Sequence, residues 1–253
     1  MNAAAWGLAW MRCAAFLAAF PQGLGMAVPP AIQALAAAAL ALALAPMAHT
    51  APHGLTVTAA LGELLLGAGM GFCLRLPLLA VQAAGQAVGF STSAAMFLMQ
   101  GLPEESGGGG NLWSAAYTQL GVLVYFSAGG PQALIATLAG SMRLAPLGGV
   151  LNPAAATASD LAALAARLSA LALALCLPPL LASYTVQWGL GLVFRASARM
   201  QLYVFALPFA SLAAAGALAL ALPSWPGLLQ RSMDFSARAA AGLAAAAAAG
   251  GHP

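Results

Sequence analysis

The stretch from Glu63 to Ser91 is apolar enough for a bilayer. Yet it carries a carboxylate at Glu63, a guanidinium at Arg75, a proline at Pro77 and glutamines at Gln82 and Gln86. Only 11 uncharged residues separate Glu63 from Arg75, where a conventional spanning helix needs ~20. A charge inside such a segment costs roughly 2.5–3.5 kcal/mol on insertion scales and marks function or a protein-buried site. The segment therefore reads as packed against other protein rather than bathed in lipid. On one straight helix Glu63 and Arg75 sit about 120° apart and about 18 Å along the axis, so they cannot pair with each other. Either each snorkels to an opposite interface, or each finds a partner elsewhere. The downstream polar residues Gln82, Gln86, Ser91, Thr92 and Ser93 favour the second.

The rest of the chain fits that reading. Eight basic and five acidic residues serve 253 positions, 62% of which are hydrophobic. A soluble domain carries about 25% charged residues, so this chain reads as an integral membrane protein. Its net charge of +3 is dispersed, with no basic run, and nucleic acid is excluded as a partner. Cys13, Cys73 and Cys176 are far apart in apolar sequence and read as small buried hydrophobes. Arg12 falls inside the first apolar run, so the N-terminus lacks a signal-peptide n-region.

Six apolar runs follow one another. They cover Ala3 to Phe20, Ala31 to Ala48, Val57 to Met99, Leu112 to Met142, Leu161 to Phe194 and Leu202 to Leu222. Nearly every run is helical by length and composition, and nearly every one is interrupted by Pro or Gly, as at Gly129-Gly130-Pro131 and Pro178-Pro179. Broken helices survive at membrane depth only where protein or a cavity satisfies the freed backbone groups. Kinked helical hairpins within an assembly are expected. The clearest loop, Gln100 to Asn111, holds Glu104, Glu105 and the glycines Gly107, Gly108, Gly109 and Gly110. Gly67/Gly71 and Gly85/Gly89 each form G-x-x-x-G, and small residues allow close helix contact, within this chain or against a partner subunit.

No catalytic constellation is present in the sequence. His49 and His53 lack the acid and helix of a zinc protease. Gly89-Phe-Ser91-Thr-Ser93 has no histidine base at membrane depth. The four glycines lack the lysine of a phosphate loop. No enzyme activity, cofactor or metal is expected. A small-solute transporter using Glu63, Arg75 and Gln82 at midplane is an alternative, but it predicts an inverted repeat, and no convincing one is seen.

Glu63-x3-Gly67-x3-Gly71-Phe72 and Ala80-x-Gln82-x-Ala84-Gly85-Gln86 resemble the core of the FliR family of type III export-gate proteins, flagellar and injectisome alike. Leu120 to Phe126, Gly130, Leu134-Ile135 and Ser141 to Gly148 resemble its next helix and proline turn. Arg199-x-Gln201-x3-Phe205-x2-Pro208 and Leu222-Pro223 resemble its late motif, and the ordered set runs from about residue 5 to 235. The chain departs from the pattern in two places. Leu102-Pro103-Glu104-Glu105 and the glycines replace an Asp-Pro, and Met200 and Tyr203 replace a Pro and an Asn.

The resemblance implies an all-α integral membrane protein of kinked hairpins, like a FliP-like plus a FliQ-like portion in succession, within a helical export-gate assembly. It implies FliP- and FliQ-type partners, FlhB- and FlhA-type export proteins, and unfolded protein substrates in transit. The location it implies is the bacterial inner membrane at the flagellar basal body. By position its pore plug is Met96, Phe97, Leu98 and Met99 with Gly107 to Gly110. Glu63, Gly67, Gly71, Arg75, Gln82, Gly85 and Gly89 then serve helix or subunit packing. The Phe205-Ala-Leu-Pro208 form stands closer to the flagellar branch than to the injectisome. Residues 1–235 are expected to form one membrane-embedded domain, and 236–253 an Ala-rich tail without assigned structure or disordered.

Overall fold

The computed structural model describes residues 3–20, 29–49, 56–100, 112–148, 158–195 and 203–249. Among the described residues eight α-helices follow in chain order: α1 (Ala3–Ala19), α2 (Pro30–Leu44), α3 (Val57–Gln100), α4 (Leu112–Ser127), α5 (Gly130–Leu144), α6 (Ala158–Arg195), α7 (Tyr203–Ala221) and α8 (Trp225–Ala249). Short 3₁₀ turns at Ala45–Met47 and Leu222–Ser224 extend α2 and join α7 to α8. Alanine and leucine, the main content of these segments, are strong helix formers, and in lipid a helix satisfies its own backbone. Polar side chains inside the helices do the same locally. The hydroxyls of Thr92, Thr118, Thr137 and Ser169 donate to carbonyls one turn back. Thr56 caps α3, its hydroxyl accepting the Ala59 N–H at 3.3 Å.

Among the described residues three helices are long and apolar enough to cross a membrane, over Val57–Thr92, Ala162–Val193 and Pro208–Ala248, and the bent α4–α5 pair makes a fourth if counted as one span. Among the described residues the architecture is helical, as expected from the sequence, with helices of membrane-spanning length and apolarity. The sequence breaks fall where the structure bends or runs on for different reasons. Between α4 and α5 the axis turns by 64°. There Gly129 takes φ 82°, and Gly130 lies so close to the Tyr125 ring that a Cβ would overlap it. Pro77 and the Pro178-Pro179 pair, by contrast, lie within continuous α3 and α6.

α3 is the central element, packed by α1, α4, α6 and α8, while α6 and α7 form a hairpin and α2 leans on α1. Gly67 and Gly71 allow the α1 contact. A Cβ at either would overlap the backbone carbonyl of Arg12 or Phe16. These glycines therefore pack within the chain. Residues 236–249, expected from the sequence as a tail without assigned structure, are helical. α8 is helical to Ala249, and Ser236, Ala240, Ala244 and Ala247 are buried. Alanine's helix propensity and the small side chain that lets α8 approach α3 and α5 give this stretch its structure.

Gly71→Val is expected to destabilise the chain by roughly 1–3 kcal/mol through overpacking, seen as a lower melting midpoint in detergent. Gly140→Ala, where a Cβ meets nothing within 4 Å, should leave the midpoint unchanged or slightly raised.

Candidate functional site

Glu63 finds its partner on α1. Arg12 Nε donates to Glu63 Oε2 at 2.5 Å and Nη2 to Oε1 at 3.0 Å, a bidentate pair with Arg12 1% and Glu63 3% exposed. The third guanidinium nitrogen, Nη1, donates to the carbonyls of Ser141 (3.0 Å) and Ala145 (3.2 Å), where α5 ends. That helix end carries partial negative charge, which favours the cation. Glu63 Oε1 also accepts the Gly148 N–H at 2.9 Å, and Gly148 takes φ 84° at this turn. The Leu147 N–H reaches the carbonyl of His49 at 2.8 Å, adding the segment after α2. Two charges in an apolar interior cost several kcal/mol each unless paired and fully hydrogen-bonded, and here both conditions are met. The neighbouring Cys13, on α1 and outside the spanning helices, stays a neutral thiol. Burial pushes it up to about 11, which outweighs the lowering by Arg12, and Glu63 adds to the rise.

A second constellation lies higher along α3. A Cβ on Gly85 would stand 2.6 Å from Tyr117 Cβ, and one on Gly121 would stand 2.7 Å from Val81 Cγ1, so α3 and α4 meet at both glycines. Tyr117 is fully buried, and its hydroxyl donates to the carbonyl of Leu175 at 3.2 Å. That carbonyl needs an outside donor because Pro179, four residues on, has no N–H. The Tyr117 ring also lies against buried Trp225 on α8, centroids 5.1 Å apart. Above it, Gln187 Nε2 donates to the Ser91 carbonyl at 3.4 Å. Beside that bond Gln187, Trp188, Gly191 and Leu192 line a shallow open depression of about 390 Å³.

The residues singled out from the sequence are thus dispersed along α3. Glu63, Gly67 and Gly71 face α1, Gly85 faces α4, and Gly89 is buried. Arg75 and Gln82 are half-buried. Met96, Phe97, Leu98 and Met99 belong to the last turns of α3, but their side chains lie outside the described residues, as do Gly107, Gly108, Gly109 and Gly110 altogether. Arg12 and Tyr117, the residues that organise the two constellations, escape sequence reading. The partner of Arg12 is 51 positions away, and Leu175 is 58 from Tyr117. The one available signal was an arginine inside the first apolar run. Among the described residues no group of three or more His, Cys, Asp or Glu side chains could hold a metal.

Over residues 3–236 the chain matches the family described as bacterial export proteins, family 1. It belongs to that family, the FliR family whose resemblance the sequence carries. A search of curated proteins finds no match. The family is a structural component of the bacterial export apparatus. This chain is accordingly a membrane subunit of that apparatus, working with its other components.

Removing one partner of the buried pair, as in Arg12→Met or Glu63→Leu, is expected to cost roughly 3–5 kcal/mol, while the double variant should recover much of the loss. A coupled-cycle measurement of detergent melting checks this. Tyr117→Phe, which leaves the Leu175 carbonyl without a donor, should cost about 1–3 kcal/mol in the same assay.

Proposed function

We propose that this chain is a non-enzymatic subunit of the type III protein export gate. It forms part of the channel entrance for unfolded flagellar substrates and helps to plug that entrance at rest. It assembles with FliP- and FliQ-type subunits and works beside FlhB- and FlhA-type proteins at the flagellar basal body in the inner membrane. One FliP-like and one FliQ-like portion follow each other along the chain. Met96, Phe97, Leu98 and Met99, continued by Gly107 to Gly110, make the seal, because pliable methionines and freely rotating glycines suit a closure that yields to many substrates.

The observation that carries this reading is the clamp beneath that segment. α3 and α4, the two stems that flank it, are locked together at Gly85–Tyr117 and Val81–Gly121, and Tyr117 ties both to α6. A seal set on a fixed base moves without disturbing the helix packing at that clamp. Energy for transport comes from other components, since the sequence carries no nucleotide-binding motif. The Phe205-Ala-Leu-Pro208 form favours the flagellar branch over the injectisome counterpart.

Deletion of residues 106–110 tests the plug. Ion leak across the inner membrane should rise while the chain still assembles, and unchanged leak together with unchanged export would sink the idea. Mild-detergent purification from the native host, followed by mass spectrometry, should bring along FliP- and FliQ-type proteins of the flagellar system. Injectisome partners instead would reassign the branch.

A further inference from the structure

Three arginines on three different helices share one level of the fold. Tyr117 supplies the reference height, since it touches Gly85 on α3, Leu175 on α6 and Trp225 on α8. At 1.5 Å per residue, Arg75 lies about 15 Å back along α3 and Arg167 about 12 Å back along α6. Arg231 lies about 9 Å forward along α8 by the same rise. α8 runs antiparallel to α3, because Leu243 reaches Gly69, and α6 runs parallel to it, because Gln187 reaches Ser91, so all three displacements point the same way. Beyond this level the sequence is uncharged over residues 76–103, 168–194 and 200–230. Each stretch exceeds the ~20 residues that span a bilayer. The arginines therefore mark one boundary of an uncharged slab.

At that boundary a basic cluster gathers around one aromatic ring. The Arg167 guanidinium lies 4.4 Å from the Phe235 centroid. Arg231 and Arg238 flank Phe235 at the i−4 and i+3 positions of α8, the neighbouring places on a helix surface. All three arginines are exposed. Asp234, also exposed, is the acid among them. Arg238 Nε donates to its backbone carbonyl at 3.2 Å, and among the described residues no salt bridge engages its carboxylate. Three cations against one anion leave a surplus of positive charge facing outward at the edge of the apolar zone.

We propose that Arg167, Arg231 and Arg238 form a binding site for the headgroup of an anionic phospholipid. Guanidinium groups bind phosphate oxygens in bidentate fashion, and the Phe235 ring holds the Arg167 guanidinium in place beside the other two by a cation–π contact. Arg75 marks the same level on α3 but stands outside the site. The assignment does not depend on the gate reading.

The test reconstitutes the full chain in phosphatidylcholine vesicles containing a minor share of phosphatidylglycerol. Spin-labelled forms of the two lipids report their relative association with the protein. The native chain should prefer phosphatidylglycerol, by about fivefold for a single arginine's share. R231Q/R238Q should bring the ratio close to parity, and R143Q, at an exposed arginine near Met47, should leave it unchanged. Parity in the native chain, or a preference untouched by R231Q/R238Q, overturns the proposal. Should that double variant fail to fold, D234N decides: the preference rises if the cluster binds the headgroup, and an unchanged ratio overturns it. Loss of the preference on adding inorganic phosphate, at ionic strength matched with chloride, would assign the cluster to a free anion and overturn the lipid reading.

Discussion

A buried guanidinium and a buried carboxylate hold the lower half of this molecule together. Arg12 and Glu63 exchange two hydrogen bonds, and the capacity left on each is taken up by the end of α5 and the turn at Gly148. Because an apolar interior penalises any charge left over, the geometry of four chain segments is fixed at once. α1 cannot slide along α3, and α5 cannot leave without stranding the arginine. The glycines at 67 and 71 serve the same contact by letting the two backbones come close enough for a short pair to form. Charge and small size are two halves of one packing solution, set on adjacent turns of α3.

The upper half is held by a different device. Prolines in α6 remove backbone donors, and a helix in lipid has no water to replace them. Tyr117 supplies one donor from α4, and its ring fills the space between α3 and α8. A defect in one helix thereby becomes a specific joint with another. This is how apolar helices, which gain little from hydrophobic association within a membrane, acquire a unique arrangement.

Much of the architecture could be read from the sequence, because length, apolarity and Gly or Pro interruptions are local signals. The limits of α3 and α6 and the break at Gly129-Gly130-Pro131 follow from them. The need for Glu63 to have a partner was legible too, since a lone carboxylate at that depth is unfavourable. Which residue answers it was not, because Arg12 lies 51 positions away and no periodicity connects them. The helical order of 236–249 was hidden by composition: an alanine run looks featureless until α3 and α5 are there to bury one of its faces. The segment assigned to the seal was legible only through family resemblance. Its glycines and methionines have no geometric pattern of their own.

The long sequence span of the Arg12 contacts bears on how the chain is made. Arg12 emerges from the ribosome early, Glu63 follows 51 residues later and the Ser141 carbonyl 129 residues later. At typical bacterial translation speeds the first interval lasts roughly 3–10 s and the second roughly 6–26 s. Throughout that wait α1 carries an unpaired guanidinium that its apolar neighbours do not satisfy. Its full set of partners is complete only once α3 and then α5 have been made. α1 is made before the residues that satisfy its arginine, so its packing is settled only when they follow.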